Sequence, residues 1–260
     1  MKTDRPDLRF LSSFQVQSAL ADAHRILAEV GVEVELSAAR ERLIEAGASA
    51  DEAGRIRLPA RLIEDALGSV PAQIKLFDRS GEEACVLGRG EPHYCPGSAA
   101  IRVLDWGSPE MRPSTLEDCV AFARLTEALP AFDLQSTCVV PTELPVLEGD
   151  RQRLAMALLH CTKPIITGTF VSASFEPMID MLAVVRGGRA ALAAKPLAIF
   201  DCCPTAPLSW SELTTTSLVG CAEAGVPAEI ISVPMTGATA PMSLRGSIAQ
   251  HAAECLSGVV

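Results

Sequence analysis

The chain has 260 residues, of which 48% are hydrophobic and 21% charged, so it is long enough and apolar enough to bury a substantial core. Its formal net charge of -10 and its pI near 4.9 argue against nucleic acid or an anionic membrane as the main partner, because both attract clustered Lys and Arg. The sequence has neither a basic start followed by an apolar run nor about eighteen uninterrupted apolar residues, which predicts a cytoplasmic protein that is not membrane-bound.

The first part of the chain, residues 1–78, predicts an N-terminal helical region. Between residues 12 and 30 apolar residues recur at steps of three and four, after a pair of serines either of which is a suitable cap. A second short helix is predicted after Ser37, and a third begins at Pro59, where proline suits the first turn.

From residue 79 onward, short extended runs alternate with helical stretches. Four apolar extended runs lie at 133–140, 164–171, 197–203 and 229–235. Counted from Leu134, Ile165, Leu197 and Ile230, they recur every 31 to 33 residues. The intervening helical stretches are 150–161, 174–186, 209–224 and 242 to the end. Such a steady period is typical of parallel strands joined by crossover helices.

Two sequence patterns predict where helices begin within this alternation. Ser114 to Glu117 and Ser209 to Glu212 both have the spacing of a capping box. Near the end of the chain, Thr239 is predicted to cap a helix that Pro241 starts.

Two architectures share this repeat, the doubly wound sheet and the eight-unit barrel. No glycine-rich nucleotide motif follows a strand, which disfavours the sheet without excluding it. We therefore predict an α/β fold, a partial (β/α)8 TIM barrel of about five β/α units over residues 79–260. The last helix has no stop signal, which predicts that the chain is a truncated member of its fold. A truncated barrel leaves a strand edge open, so a possible homo-oligomer is also predicted.

The nine cysteines predict buried thiols rather than a metal site, since no CxxC pair occurs. Cys202 and Cys203 are adjacent on a predicted strand, and their side chains should therefore point to opposite faces. They cannot both bind one ion without distortion, so no metal is predicted.

Several separate motifs resemble one family. They are AHRILAEVGVEVE, RIRLPARLIEDAL, TKPIITGTF, PTAPLSWSE and PMTGATAPMSLRGSIAQHAAE, in this order over nearly the whole chain. Together they resemble the trimethylamine methyltransferase family. The resemblance implies a (β/α)8 barrel with an N-terminal helical extension. It also implies methyl transfer from a small methylated amine, such as trimethylamine or glycine betaine, to the cobalt of cobalamin on a separate corrinoid protein.

Under this resemblance the site lies where the predicted strands end. Asp201 is either a counter-charge for a cationic substrate or a cap or ion-pair partner, and Glu143 is either a second such carboxylate or a solvated loop residue. Phe200 and Trp210 are candidate aromatic walls, with packing as the alternative. The other predicted substrate-binding residues are Thr169 and Thr205. The predicted corrinoid-facing loop carries Met235, Gly237 and Thr239. The sequence predicts no catalytic residue.

A second hypothesis is that the chain is a truncated, non-catalytic fragment that self-associates or binds a partner. An open run of parallel strands exposes an unpaired edge, which invites association. The two hypotheses share a family and differ in catalytic competence.

Overall fold

The computed structural model of the chain describes residues 9–88 and 90–260. Residues 1–8 lie outside the described residues. They include the N-terminal segment from which the absence of a leader is predicted. The α-helices, in chain order, are α1 (Ser13–Arg25), α2 (Ser37–Glu45), α3 (Ala60–Ser69), α4 (Leu116–Ala128), α5 (Val146–His160), α6 (Phe175–Arg186), α7 (Arg189–Ala194), α8 (Glu212–Ala224) and α9 (Leu244–Val259).

The strands are short, and most pair with one neighbour only. In chain order they are β1 (Glu33–Val34), β2 (Ser49–Ala50), β3 (Ile56–Arg57), β4 (Ile74–Phe77), β5 (Glu83–Leu87), β6 (Arg102–Leu104), β7 (Met111–Pro113), β8 (Gln135–Ser136), β9 (Ile165–Thr167), β10 (Ala198–Cys202), β11 (Ser209–Trp210) and β12 (Ala228–Ile230).

The chain folds into two compact units that interleave along the sequence. One unit contains the chain up to Ser69 together with Pro204–Ser211 and Ser232–Val260, and the other contains Val70–Cys203 and Glu212–Ile231. The predicted division into residues 1–78 and 79–260 follows chain order and stays a prediction.

In the first unit, the amino-terminal helix begins as its sequence predicts. The Ser12 hydroxyl accepts a hydrogen bond from the Gln15 N–H, and the Gln15 side chain accepts one from the Ser12 N–H, which closes a capping box. Helix α1 continues into a π-helical turn over Ile26–Val30, and Gly31 ends it at φ 71. Helices α1 and α3 both pack against α9.

The second unit contains the predicted parallel sheet. Its strand order is β12-β10-β9-β8, and every neighbouring pair in it is parallel. The strands fall within or at the edge of the predicted apolar runs, and helices α5 to α8 occupy the predicted intervals between them. The alternation of strand and helix is therefore confirmed as an α/β fold with a parallel sheet, whereas closure into a barrel is not seen among the described residues.

The core of this unit lies between the sheet and its helices. Phe200 of β10 is fully buried, and its ring packs edge-on against Phe175 of α6 with the ring centroids 5.1 Å apart. Leu154, Met178 and Leu182 are buried in the same cluster. Burial of these helix faces against the strands holds the strand ends in place.

Both predicted capping boxes after residue 79 are shifted or absent. The cap of α4 is Thr115, one residue later than predicted, with Asp118 as its reciprocal partner. Ser209 does not open a helix, because it pairs with Glu33 in the two-stranded ladder of β1 and β11, and α8 begins only at Glu212. Strand pairing thus takes precedence over a local capping pattern.

The start of α9 also differs from the prediction. The N-cap is Ser243, whose hydroxyl accepts a hydrogen bond from the Gly246 N–H, so Pro241 lies outside the helix. The Thr239 hydroxyl instead accepts from the Met235 N–H within the preceding turn. A turn-closing bond replaces the predicted cap.

The packing of Phe175 gives the first prediction. A Cβ added to Gly220 of α8 would lie 2.3 Å from Cε1 of Phe175, whose ring is buried and cannot withdraw. We expect Gly220→Ala to lower the free energy of unfolding by more than about 1 kcal/mol in urea titrations. The matched control is Gly68→Ala in α3, where no atom lies within 4 Å and the better helix former should stabilise the protein. Equal effects of the two substitutions would contradict the packing argument.

Candidate functional site

Polar side chains gather where the parallel strands end. Thr137 follows β8, Gly168 follows β9, and Asp201 is the penultimate residue of β10. The hydroxyl oxygens of Thr137 and Thr167 lie 3.3 Å apart, and a Cβ on Gly168 would lie 3.4 Å from Cβ of Asp201. The end of β9 therefore lies directly beside Asp201, at a distance where even a Cβ on Gly168 would only reach van der Waals contact.

Arg153 of α5 forms hydrogen bonds to the residues that follow β8 and β9. Its side chain is 3% exposed, and one guanidinium nitrogen donates to the Thr137 hydroxyl at 3.0 Å. The other terminal nitrogen donates to the carbonyl oxygen of Gly168 and lies 3.3 Å from the carboxylate of Asp150. Burial lowers the pKa of Arg153 from its usual value, and the charges of Asp150 and Asp201 oppose that shift. Asp150 thus compensates a buried positive charge.

Asp150 also fixes the loop that follows β9. Its Oδ2 accepts hydrogen bonds from the backbone N–H groups of Phe170, at 2.8 Å, and Val171, at 3.3 Å. The Phe170 ring lies 4.8 Å from the guanidinium carbon of Arg153, within the range of a cation–π contact, yet the residue is 44% exposed. The ion pair between Asp150 and Arg153 therefore fixes the position of the Phe170 ring, which remains partly exposed to solvent.

Asp201 is the most perturbed acid of the described site. Its pKa is raised from 3.8 to about 7, mainly by burial and next by the charge of Glu229, which lies opposite it in register on β12. Arg153 acts in the opposite direction, and the Ser98 hydroxyl donates to Oδ2 at 3.5 Å. The buried Oδ1 has no hydrogen-bond partner among the described residues. A side-chain hydrogen bond with Glu229 also favours the protonated form of Asp201, so its surroundings keep this carboxyl group protonated up to about neutral pH.

The other predicted substrate-binding residues of this unit lie in different surroundings. Phe200 lies in the hydrophobic core, and the Thr169 hydroxyl lies 2.9 Å from that of Ser217. Oε1 of Glu143 accepts a hydrogen bond from the Leu116 N–H at 2.6 Å, which satisfies an amide at the start of α4. Phe200 thus packs in the core, Thr169 contacts a neighbouring hydroxyl, and Glu143 caps a helix. The substrate-binding roles of all three stay predictions.

Trp210 and Thr205 lie in the other unit. Trp210 is buried on β11, and its indole N–H donates to the Ser257 hydroxyl at 2.9 Å, so it does not open a helix as predicted. Thr205 and Ser209 exchange backbone hydrogen bonds across a tight turn. The two residues are therefore held by contacts within their own unit, and their predicted substrate roles are untested.

The loop after β12, residues 232–242, carries the predicted corrinoid-facing residues. The Met235 carbonyl oxygen accepts hydrogen bonds from the N–H groups of Ala238, Thr239 and Ala240. Gly237 occupies the turn at φ 82, a conformation that favours glycine. Met235 and Val233 are mostly exposed, so the predicted strand through Val233 is wrong and β12 ends at Ile230.

The neighbouring cysteines behave as the strand alternation predicts. Cys202, the last residue of β10, is buried, and Cys203, the residue after it, is exposed. Within residues 9–88 and 90–260, no group of three His, Cys, Asp or Glu side chains is arranged to hold a metal ion. Across the same residues, no helix has both the length and the apolar character needed to cross a bilayer.

Sequence reasoning missed Arg153, Asp150 and Glu229. Asp150 and Arg153 lie in EGDRQRLAMALL, where charged residues beside an apolar run resemble a solvated helix face. Their i, i+3 spacing was the available signal of an ion pair, but only the packing of α5 against the strand ends makes the pair buried. Phe170 falls within the extended run predicted at 164–171, but β9 ends at Thr167, so the residue lies in the loop after the strand.

The family model for trimethylamine methyltransferase matches residues 1–260, the full length of the chain. The chain belongs to the trimethylamine methyltransferase family.

Curated relatives are about a quarter identical to the chain over the aligned residues. Trimethylamine methyltransferase MttB of Desulfitobacterium hafniense is 26% identical over 90% of the chain and 48% of its own length. Glycine betaine methyltransferase of another strain of that species is 28% identical over 98% of the chain and 53% of its own length. Proline betaine:corrinoid methyltransferase of Eubacterium limosum is 25% identical over 97% and 53%. The chain thus spans about half the length of these relatives.

Proposed function

We propose that a protein containing this chain transfers a methyl group from a tertiary or quaternary amine, such as trimethylamine or glycine betaine, to the cobalt of a corrinoid carried by a partner protein. The observation that carries the proposal is Asp201, a largely buried carboxyl group at the end of a parallel strand in a chain of this family. The names of related proteins support the reaction class, since they include trimethylamine, glycine betaine and a corrinoid.

The chemistry of the substrate favours a carboxylate beside an aromatic ring. A quaternary ammonium has no N–H donor, so a protein holds it by charge and by the faces of aromatic rings. Asp201 supplies a negative charge once its proton leaves, and Phe170 supplies an exposed ring in the same unit. In this proposal binding of the cation releases a proton from Asp201, and the reaction then depends on positioning rather than on acid–base catalysis.

We place the corrinoid contact on the 232–242 loop, through Met235, Gly237 and Thr239. Residues 235–240 are Met, Thr, Gly, Ala, Thr and Ala, which are small apart from Met235 and mostly exposed, and this fits the approach of a large planar group. None of them is a histidine or a cysteine, in agreement with a cobalamin that stays bound to its partner protein. A cob(I)alamin bound there would supply the electron pair for the new cobalt–carbon bond, and the amine would leave with the electron pair of the broken C–N bond.

We further propose that the parallel sheet is part of a (β/α)8 barrel. Four consecutive strand–helix repeats and the parallel bridge between Ala100 and Val139, next to β8, support about five adjacent units. The carboxyl ends of such strands form the mouth in which barrel enzymes hold their substrates. In this arrangement Asp201 and the loop after β9 line the mouth.

The reaction is tested with the longest protein that the coding region beyond Val260 provides. It is incubated with its corrinoid partner in the cob(I)alamin state and a panel of methylated amines, and methylcobalamin is followed by absorbance. We expect methylation with at least one amine. Failure with every amine, using a partner shown to be reducible, would sink the proposed reaction.

Binding of the cation gives a second prediction, which needs only the 260-residue chain. We expect the affinity for tetramethylammonium to rise as the pH increases through about 7, because the pKa of Asp201 is raised to about 7 and only the ionised carboxylate attracts a cation. Asp201→Asn should weaken binding at pH 8 by about tenfold and remove the pH dependence. Isothermal titration calorimetry measures both. Glu143→Gln is the control variant. It should leave the affinity unchanged, because the Glu143 side chain accepts a hydrogen bond from the Leu116 N–H. Equal affinity of wild type and Asp201→Asn at pH 8 would exclude Asp201 as the counter-charge.

A second candidate function is a non-catalytic fragment that self-associates. The observation favouring it is β12, which within the described residues pairs on one side only and therefore leaves a strand edge open. Sedimentation of the 260-residue chain at increasing concentration distinguishes the two. A concentration-dependent oligomer together with no methyl transfer by any longer protein would favour this candidate.

A further inference from the structure

Glu254 of α9 is a fully buried carboxylate that neutral donors surround. Its Oε1 accepts hydrogen bonds from the Leu208 N–H and from the Gln250 side-chain amide, both at 2.9 Å. Its Oε2 accepts one from the Ser232 hydroxyl. No lysine, arginine or histidine forms an ion pair with it among the described residues, and a buried carboxyl group of this kind is tolerated only where donors satisfy its oxygens.

The donors come from segments that are far apart in sequence. Leu208 lies in the segment 204–211, which follows β10 along the chain, and Ser232 begins the 232–242 loop, which follows β12. Gln250 provides a second tie, because the same side-chain amide donates to the carbonyl oxygen of Thr239 at 2.8 Å. One carboxylate therefore fastens both segments to α9.

The loop is also fixed to α9 by hydrogen bonds that do not involve Glu254 directly. The hydroxyl groups of Thr236 and Ser247 lie 2.8 Å apart, and Ser247 also donates to the Pro241 carbonyl oxygen. Beyond these bonds the loop has little burial of its own, since Val233, Met235 and Met242 are exposed. A loop without a buried apolar anchor depends on its polar contacts for a fixed conformation.

We propose that Glu254 is a positioning residue that holds the 232–242 loop and the 204–211 segment in a preformed conformation, and, resting on the proposed function, that this prepares the loop for the corrinoid partner. Prior ordering removes an entropic cost that docking would otherwise incur. The carboxylate acts through its hydrogen bonds, so a side chain of the same shape that keeps them should replace it.

Hydrogen exchange on the 260-residue chain tests the positioning directly. In Glu254→Ala we expect the Ala238, Thr239 and Ala240 amides, which donate to Met235, to exchange about tenfold faster, and the Leu208 amide likewise. Helix α1, which packs on α9, should keep its protection, whereas general loss of structure would expose it as well. Unchanged exchange in the loop, or an equal increase in α1, would overturn the proposal.

Two milder variants keep the test decisive if Glu254→Ala does not fold. Ser232→Ala removes only the donor to Oε2 and should speed exchange in the loop by a few-fold. Glu254→Gln should keep wild-type exchange, because its oxygen still accepts from Leu208 and Gln250 while its NH2 donates to the Ser232 hydroxyl. The positioning role of Glu254 would be contradicted if the loop amides of Ser232→Ala exchanged at the wild-type rate. It would also be contradicted if the loop amides of Glu254→Gln exchanged as fast as those of Ser232→Ala.

A kinetic readout in the longer protein separates this inference from the proposed function. Glu254→Ala should raise the KM for the corrinoid protein by about tenfold with little change in the KM for the amine, and Glu254→Gln should restore it. If the wild-type protein transfers no methyl group, the proposed function fails while the exchange result still decides the role of Glu254. If it does transfer methyl groups and Glu254→Ala changes neither exchange nor KM, only the positioning role fails.

Discussion

Replacing Arg153 by methionine should lower the free energy of unfolding by about 3 to 5 kcal/mol, the largest effect we expect from a single substitution outside the hydrophobic core. The substitution leaves the carboxylate of Asp150, which is fully buried, without its cationic partner. It also removes donors from the Thr137 hydroxyl and the Gly168 carbonyl oxygen. Urea unfolding at pH 7, followed by far-ultraviolet circular dichroism, measures the loss.

Two variants separate the charge effect from the loss of packing. Asp150→Asn combined with Arg153→Met should be more stable than Arg153→Met alone, since no unpaired charge remains in the interior. Arg189→Met is the surface control, because Arg189 bridges Glu176 and Asp180 in solvent and its loss should cost less than about 1 kcal/mol. Similar costs for Arg153→Met and Arg189→Met would show that the buried pair contributes nothing special.

The period of strands and helices was predictable because it follows from local composition. Apolar runs every 31 to 33 residues lead to the parallel sheet, and the apolar spacing between residues 12 and 30 leads to α1 and its π-helical turn. In both cases the hydrophobic pattern and the stop signals agree, so tertiary contacts reinforce the local preference rather than opposing it.

The misplaced features depend on pairing between distant segments. Ser209 has the spacing of a helix cap, yet it pairs with Glu33, 176 residues earlier in the chain. Thr239 is a suitable cap in isolation, yet its hydroxyl closes the turn with Met235 and Ser243 caps α9 instead. Local patterns cannot anticipate such partners, because the competing bond is set by the tertiary fold.

The candidate site was only partly visible for the same reason. Asp201 could be singled out, since an acid inside an apolar strand needs a partner or a function. The groups that tune it, Glu229 and Arg153, are 28 and 48 residues away along the chain and meet it only through the register of β10 with β12 and the packing of α5. The fold supplies the electrostatics of the site, whereas the sequence reveals only its central residue.

Asp201→Asn should become more stable relative to the wild type as the pH rises from 5 to 8, by about 2 kcal/mol. The pKa of Asp201 is raised from 3.8 to about 7 in the folded protein, so between these values the folded state holds a proton that the unfolded state has released. Its contribution to stability is therefore complete below about pH 4 and is lost as the pH rises through 7. Asparagine never ionises, so the variant does not bury a charge at high pH.

Urea unfolding of both proteins at several pH values measures this difference, and a neighbouring variant checks its cause. Glu229→Gln removes the charge that helps to raise the pKa of Asp201, so the loss of stability should occur at a lower pH than in the wild type. A difference between Asp201→Asn and wild type that stays constant from pH 5 to 8 would show that Asp201 is ionised throughout. In that case the carboxylate would already be available to a cation at pH 5, and cation binding would not be coupled to proton release.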